Sequence, residues 1–269
     1  MDKTKVWMHG FEINIRTETG YQDVNVISEC LGGDCYGLKE LAQKLTPKVV
    51  FDIGGHIGAF GLMAKKIWPD CHLVAVEPCR TSYELYCQNL KDNGFEGDVL
   101  NMAIGYNSKR TKLMPASRTT GGGVVLSDDE IKEYASDLYR MYSEDTVEDV
   151  ETVTVDELTS GYGVIDLAKF DCEGGEIDAF RKMSKETAAK FRTMVGEYHL
   201  WGDGKKVLQA SPLDVMGFWE DTRRKFPHLL WSWTGTAGGA DKYGKFQAWP
   251  KGEKNDKKTR NSNRQKVCV

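Results

Sequence analysis

A glycine-rich turn between a short apolar run and a helical pattern constrains this chain more than any other feature. The run Lys48–Ile53 leads into Gly54–Gly58, after which Ala59–Ile67 has a helical pattern. A second apolar run, His72–Glu77, ends in an acid. This order of strand, tight turn, helix and strand predicts parallel strands joined by crossover helices.

The same rhythm continues along most of the chain. Tyr83, Tyr86, Cys87 and Leu90 fall on one face of a predicted amphipathic helix that ends at Asn93-Gly94. The predicted fold class is α/β, with a mostly parallel central sheet, helices on both faces and an antiparallel closing hairpin. The remaining patterns predict strands at 7–15, 23–28, 99–104, 164–171 and 192–199, helices at 38–45, 174–183 and 212–225, and a closing hairpin of 229–234 with 245–249.

These patterns divide the chain into three parts and one insertion. Residues 1–46 form an N-terminal cap, 47–250 hold the α/β domain, and 251–269 form a basic tail that we expect to be disordered. Acids greatly outnumber bases in the second half of the insertion, 106–151. A charge run usually faces water, so a solvated segment is the favoured interpretation, and a lid over the site is the alternative.

Composition excludes several classes of function. The chain has 269 residues and a net charge of −4, which gives no general electrostatic case for binding nucleic acid or an anionic membrane. No apolar run approaches the roughly 18 residues that span a bilayer, and we expect no signal peptide and no membrane contact. The seven cysteines are irregularly spaced without a C-x-x-C pair, so we expect free thiols in a reducing compartment, the cytoplasm.

The glycine turn has the character of a cofactor site. A dinucleotide fingerprint would need glycine where Ile53 stands, and Asp52 places a carboxylate where a pyrophosphate would require N–H donors. S-Adenosylmethionine (SAM) carries an ammonium and a sulfonium group, so it suits an acid here better than NAD does. Glu77, at the end of the next strand, is placed to bind ribose hydroxyl groups. The alternative is that these glycines only make a tight turn.

Several segments together resemble the FkbM-type methyltransferase family. The resemblance rests on Val49–Gly58, Val76–Pro78, Asn101–Gly105, Val153–Leu158 and Ala168–Glu176. The most distinctive block, K-x-D-x-E-G-x-E, and a later E-x-H match at Lys169, Asp171, Glu173, Gly174, Glu176, Glu197 and His199. The resemblance covers roughly 47–200, and we expect the ends on either side to set substrate choice.

This resemblance implies a class I SAM-dependent methyltransferase with a Rossmann-like fold. Such enzymes often methylate the hydroxyl group of a sugar and release S-adenosylhomocysteine (SAH), so the implied acceptor is a hydroxyl group of a small molecule or glycan. The family commonly has Gly-Ala-Asn at the turn, where this chain has Gly-Gly-His. The residues implied to contact the cofactor are Asp52, Gly54, Gly55, His56, Gly58, Glu77, Pro78, Ala103 and Asp171.

Two pairs of polar residues end two predicted strands. Asp171 and Glu173 are two residues apart, and so are Glu197 and His199, so each pair points to one side and we expect all four to meet in one crevice. His199 is the first candidate to accept the proton of an attacking hydroxyl group, because imidazole titrates near neutral pH, and Asp171 is the second. Glu173 or Asp171 is the candidate to orient the acceptor or the ammonium group of SAM.

The same residues also have structural interpretations. Glu173 and Glu176 open a predicted helix, where acids stabilise the N-terminal dipole. His199 is, at even weight, a satisfied core histidine, and Lys169 is expected to be an ion-pair partner within the strand. Asp171 and His199 could join Glu197 as ligands of a divalent cation, but nothing in their spacing demands a metal, and we expect none.

Three other functions stay open at this point. A non-catalytic nucleotide- or SAM-binding protein would use the glycine turn, but it would not need the predicted cluster of acids and histidine. An NAD-dependent oxidoreductase is disfavoured by Asp52 and by Ile53 in place of glycine. A methyltransferase acting on nucleic acid would use the basic tail, yet the chain lacks the N/D-P-P-Y/F motif of amino methylation, so we expect a small-molecule or glycan acceptor.

Overall fold

The computed structural model describes most of the chain. The described residues are 2–105, 110–115, 123–126, 147–199, 212–235 and 243–252. Most of the acidic insertion and almost all of the basic tail lie outside these ranges. The solvated segment, the alternative lid and the disordered tail therefore stay predictions, as do the domain boundaries.

A β-hairpin begins the described chain. Strands β1 (Lys3–Met8) and β2 (Phe11–Arg16) pair antiparallel around a turn at His9 and Gly10, whose φ angles are both positive. Two left-handed residues in succession are typical of tight hairpin turns. The single strand predicted for 7–15 is therefore wrong, because this turn divides it.

Helical structure follows the hairpin. Helix α1 (Gly20–Ile27) continues into a π-helical turn, Ser28–Gly32, and the short α2 (Leu38–Leu41) lies further along. The strand predicted for 23–28 is wrong, because the buried positions of α1 are three and four residues apart and so share one helical face. The helix predicted for 38–45 is confirmed only for its first half.

The first half of the central sheet alternates strands and helices, as predicted. Its elements in chain order are β3 (Val49–Ile53), α3 (Ala59–Ile67), β4 (His72–Val76), α4 (Arg80–Asp92) and β5 (Asp98–Leu100). Helix α4 ends at Asp92 with Asn93 as its C-cap, and Gly94 then takes the left-handed conformation expected after a helix.

A second, four-stranded sheet occurs among the described residues. Its strands are β6 (Ala103–Ile104), β7 (Arg110–Pro115), β8 (Gly123–Leu126) and β9 (Glu148–Val153), in the order β6-β9-β7-β8. The single strand predicted for 99–104 is wrong, because its residues belong to two sheets. The break falls at Asn101, whose side-chain amide donates to the carbonyl groups of Glu77 at 2.9 Å and Pro78 at 2.8 Å.

The second half of the domain again alternates helices and strands, with small shifts from the predicted ends. Helix α5 begins at a capping box, in which Thr154 and Glu157 each bond the backbone N–H of the other. The elements in chain order are α5 (Val155–Leu158), β10 (Ile165–Phe170), α6 (Gly175–Lys182), α7 (Lys185–Ala188), β11 (Phe191–His199), α8 (Pro212–Lys225), β12 (Leu229–Gly235) and β13 (Tyr243–Pro250).

The strand order of the central sheet confirms the predicted fold class. In the described part of the chain the order is β12-β13-β11-β10-β3-β4-β5. Neighbours from β11 to β5 are parallel, whereas β13 runs antiparallel to both β11 and β12. The chain moves outward from β3 to β5 and later resumes at β10, on the other side of β3. The order therefore reverses between β3 and β10.

Apolar layers cover both faces of the sheet. Phe51 and Val74 belong to the layer that includes α6 and α8, whereas Val50 and Leu73 belong to the layer that includes α3, α4 and the N-terminal hairpin. This alternation follows from the two-residue period of a strand. Among the described residues, no helix has the length and apolar character needed to cross a lipid bilayer.

Candidate active site

The candidate site lies where the strand order reverses, at the carboxyl ends of β3 and β10. Open α/β sheets bind ligands in the crevice at such a point. Gly54 follows β3 and Asp171 follows β10, and the Asp171 N–H donates to the Ile53 carbonyl at 3.0 Å. A Cβ atom on Gly54, whose φ is 80°, would lie 1.8 Å from the Asp171 carbonyl oxygen. Only glycine permits this contact, so the turn and the end of β10 form one unit.

The other glycines of the turn pack against an aromatic ring. A Cβ atom on Gly55 would lie 2.5 Å from the Tyr86 ring, and one on Gly58 would lie 2.3 Å from it. Packing inside the protein therefore accounts for these glycines. Their contact with a cofactor stays a prediction.

Asp52 lies inside the protein between two partners. Its side chain has no exposed surface; the Tyr86 hydroxyl donates to Oδ2 at 2.8 Å, and Lys169 Nζ is 3.2 Å from Oδ1. Lys169 also donates to the Gly54 carbonyl. Burial alone would lower the pKa of Lys169, but Asp52 and Asp171 hold it above the ordinary value. The ion pair predicted for Lys169 is confirmed, with its partner on the neighbouring strand, and cofactor binding by Asp52 stays a prediction.

Glu77 closes the other side of the turn. It follows β4, is almost fully buried, and accepts the His56 N–H at 2.8 Å and the Cys79 N–H at 2.9 Å, one on each oxygen. Burial raises the pKa of Glu77. A carboxylate has about four acceptor positions, and donors from the described part of the chain take two of them, which leaves capacity for the hydroxyl groups of a ligand.

Two other residues named for cofactor contact have structural partners. The Pro78 carbonyl accepts the side-chain amide of Asn101 at 2.8 Å. Ala103 is buried in β6, in a small apolar cluster with Leu113 and Val150. Their contact with a cofactor stays a prediction.

His56 faces the N-terminal segment. Its Nε2 lies 3.3 Å from Asp23 Oδ1 and 3.3 Å from Arg16 Nη1, and Arg16 Nη1 donates to Asp23 Oδ1 at 2.5 Å. Burial alone would raise the pKa of Asp23, but His56 and Arg16 hold it below the ordinary value. His56 stands where the family commonly has asparagine. It contacts a cation from β2, Arg16, and an anion from α1, Asp23.

The four polar residues predicted to meet do meet. Ligand atoms of Asp171, Glu197 and His199 all lie within 4.8 Å of one another. His199 Nε2 is 3.7 Å from Glu197 Oε2 and 3.9 Å from Glu173 Oε2. Lys169 Nζ, 3.9 Å from Asp171 Oδ2, connects this acid–histidine cluster with Asp52.

Glu176 is a member of the site that sequence reasoning assigned only to the helix dipole. It is fully buried, and its Oε1 accepts the His199 backbone N–H at 2.5 Å and contacts His199 Nδ1 at 3.0 Å. The Gly174 N–H donates to the same carboxylate at 3.1 Å. Glu176 therefore fixes the orientation of the His199 ring. Its position as the last residue of the K-x-D-x-E-G-x-E block is the sequence feature that could have indicated a role in the site.

The cluster shifts the pKa values of its members. Burial alone would lower the pKa of His199, but the carboxylates of Glu176, Glu173 and Asp171 raise it to about 10. Burial, with Asp171, Glu176 and Glu197 nearby, raises the pKa of Glu173 to about 7 against the opposing charge of His199. A group with a pKa near 7 gives and takes protons readily at neutral pH, whereas His199 in this arrangement holds its second proton.

Two further members come from the ends of the chain. The Tyr36 hydroxyl, from the N-terminal cap, donates to Asp171 Oδ2 at 2.5 Å. Lys245 Nζ, on β13, is 3.4 Å from Glu197 Oε1. Neither residue lies in a recognisable motif, so nothing in the sequence pointed to them.

Three known proteins similar to this chain are methyltransferases by name. Methyltransferase sdnD of Sordaria araneosa is 27% identical over 203 residues, which are 64% of this chain and 73% of that protein. A human methyltransferase 10 domain containing protein matches with a TM-score of 0.46 and 11% identity, over 91% of this chain and 90% of that one. The plantazolicin methyltransferase BpumL in complex with SAH matches with a TM-score of 0.44 and 6% identity, over 80% and 81%. Structural likeness at this level carries no weight for function.

The family assignment rests on a match along the sequence. Residues 52–226, more than half of the chain, match the Methyltransferase FkbM domain. This span holds the glycine turn, Lys169–Glu176, Glu197 and His199, the same residues that the fold brings to one edge of the sheet. The chain belongs to the FkbM methyltransferase family and is a methyltransferase.

Proposed function

We propose that this enzyme transfers the methyl group of SAM to a hydroxyl group of a sugar or of a sugar-containing small molecule. The observation that carries the proposal is the convergence of Asp171, Glu173 and His199 beside the glycine turn. Transfer to oxygen requires a group that removes the hydroxyl proton, and this cluster offers several.

The residues around the turn fit SAM as the cofactor. Glu77 has acceptor capacity at the carboxyl end of β4, where a ribose would lie. His56 Nδ1 is buried and makes no hydrogen bond within the described part of the chain, so it has capacity for a ligand. When bound, SAM would supply an activated methyl group, and SAH would be the product.

The acid–histidine cluster would position the acceptor and take up its proton. His199 is the candidate from sequence, but a ring that holds its second proton at neutral pH is a donor. Asp171, whose pKa is lowered by Lys169 and His199 although burial alone would raise it, is ionised and suited to orient a hydroxyl group. Glu173, with a pKa of about 7, is then the better matched acceptor for the proton.

Calorimetry tests the cofactor assignment. We expect the purified protein to bind SAM and SAH in the micromolar range and not to bind NAD. Glu77→Gln should weaken SAM binding about tenfold or more, because a hydrogen bond to a charged group contributes about 1.5–3 kcal/mol. Glu96→Gln, on an exposed surface, is the matched control. Binding of NAD in place of SAM would overturn the cofactor.

A transfer assay tests the acceptor. SAM with a labelled methyl group is offered to sugars, to sugar-containing small molecules and to RNA. We expect label in the first two groups and none in RNA. Label in RNA would favour the nucleic-acid alternative, and SAM binding without transfer to any hydroxyl acceptor would favour the non-catalytic alternative.

We also propose a cytoplasmic location. The six cysteines within the described ranges are free thiols: Cys30, Cys35, Cys71, Cys79, Cys87 and Cys172. Free thiols persist in a reducing compartment. Fractionation of the source cells would test this, and recovery outside the cytoplasm would contradict it.

A further inference from the structure

We propose that Asp171, Glu197 and His199 bind a divalent first-row metal ion such as Mn²⁺, against the expectation from their spacing in the sequence. The binding of the ion can be tested on its own, whereas its use in catalysis rests on the proposed function. Three observations support the site: the distances between the ligand atoms, the orientation of the imidazole ring, and the charge around it.

The distances suit a shared ion. Protein oxygen and nitrogen ligands lie about 2.0–2.2 Å from such a metal, so two ligands of one ion lie at most about 4.4 Å apart. His199 Nε2 and Glu197 Oε2, at 3.7 Å, already meet this limit. All three ligand atoms lie within 4.8 Å, so a side-chain shift of a few tenths of an ångström brings Asp171 to the same ion. One imidazole with two carboxylates is a donor set that suits Mn²⁺ or Zn²⁺.

The ring orientation is the second observation. Metal-binding histidines almost always donate their other ring N–H to a carboxylate or a carbonyl group. The buried Glu176 carboxylate contacts His199 Nδ1 at 3.0 Å and also holds the His199 backbone N–H. This arrangement directs Nε2 to the side where Asp171 and Glu197 lie. The incoming ion would displace the second proton from Nε2, so His199 would be a proton donor only in the metal-free protein, and binding should weaken as the pH falls.

The local charge is the third observation. The carboxylates of Asp171, Glu173, Glu176 and Glu197 surround the His199 ring, and the ammonium groups near them, those of Lys169 and Lys245, lie at 3.9 Å from Asp171 and 3.4 Å from Glu197. A divalent cation would reduce the repulsion among these acids. A cation held there would also favour ionisation of a bound hydroxyl group.

Manganese binding tests the proposal directly. The full-length protein is treated with a chelator and titrated with Mn²⁺, and free Mn²⁺ is followed by electron paramagnetic resonance. We expect one site per chain, with binding weakened at least tenfold in Glu197→Gln. Glu176→Gln retains all three ligands but loses the orienting carboxylate, so we expect a loss of ten- to a hundredfold. Glu96→Gln is the control, and thermal unfolding confirms that each variant is folded.

Two results would overturn the proposal. One is the absence of stoichiometric Mn²⁺ binding to the wild type, and of Zn²⁺ binding in a parallel titration. The other is binding that folded Glu197→Gln and Glu176→Gln leave unchanged, which would place the ion elsewhere. SAM binding is measured on the same samples, so a wild type that binds SAM but neither Mn²⁺ nor Zn²⁺ would sink this inference and leave the proposed function standing.

Discussion

At the scale of single residues, the protein keeps its charges inside by pairing them. Asp23 has no exposed surface and lies against Arg16 and His56, just as Asp52 lies against Lys169. A buried ion pair adds little net stability, because removal from water offsets the attraction, but loss of one partner leaves a buried charge without compensation. Replacement of one member of such a pair should therefore lower the free energy of unfolding markedly.

Asp23→Asn tests this at the buried pair. We expect the free energy of unfolding at pH 7 to fall by about 3–5 kcal/mol, because the guanidinium of Arg16 loses its counter-charge. The pKa of Asp23 is lowered from 3.8 in the fold, so its stabilisation is full above that value and is lost as the pH falls through the lowered pKa. Urea unfolding at several pH values should therefore show the unfolding free energies of the wild type and of Asp23→Asn converging as the pH falls below about 3.8.

A surface pair provides the control for this variant. Asp221 contacts Arg224 at 3.1 Å, and both side chains are exposed. Asp221→Asn should change the unfolding free energy by no more than about 0.5 kcal/mol. Equal losses in the two variants would contradict the distinction between buried and exposed pairs.

At the scale of elements, the ends of β3 and β10 fit together only because Gly54 has no side chain. The parallel order of the strands puts the turn and the acid–histidine cluster at one edge of the sheet, and this contact brings them against each other. The turn was predictable because its signal is local, a run of glycines between strand and helix. Part of helix α1 was mistaken for a strand because a short segment with few apolar residues has no distinct period, and packing against strand β2 of the hairpin decides its conformation.

Gly54→Ala measures the contact between the two strand ends. The added methyl group would meet the Asp171 carbonyl at 1.8 Å, at a φ of 80° that alanine rarely adopts. We expect a loss of about 3 kcal/mol or more in the free energy of unfolding. Gly161→Ala is the matched control, since its Cβ would meet nothing within 4 Å, and it should change stability by no more than about 1 kcal/mol. Equal effects would show that the contact is not tight.

At the scale of the whole molecule, the N-terminal cap and the sheet share one apolar core. Ile13 of β2 and Leu73 of β4 belong to the same buried layer. Asn14 bonds Asn89 on α4, through its backbone N–H at 2.7 Å and its side-chain amide at 3.0 Å. We infer that the cap unfolds together with the domain.

Hydrogen exchange tests this coupling. The amide of Asn14 should exchange with the same free energy of opening as the amides of the central strands β3 and β4, because all open only on global unfolding. Exchange at a much lower free energy would mean that the cap opens separately. Amides of the exposed strand β1 serve as an internal reference for local opening.

How much of the site was predictable depends on distance along the chain. Asp171, Glu173, Glu197 and His199 end predicted strands, so the parallel order of the sheet placed them together. Tyr36 could not be placed, because no local pattern indicates which carboxylate a residue of the cap will reach 135 positions later. The missed contacts of Lys245 have the same cause, since they depend on which strand β13 joins.

The close approach of Gly54 to Asp171 has a consequence for engineering. The contact involves the backbone of Asp171, so any change that moves the backbone at the end of β10 also pushes on the turn and alters both halves of the crevice at once. Diversity introduced at Lys245 of β13, which contacts Glu197 from the other side of the cluster, would leave that contact and the proposed metal ligands in place. A library aimed at new acceptors should therefore vary the β13 side of the crevice and keep the β3–β10 junction constant.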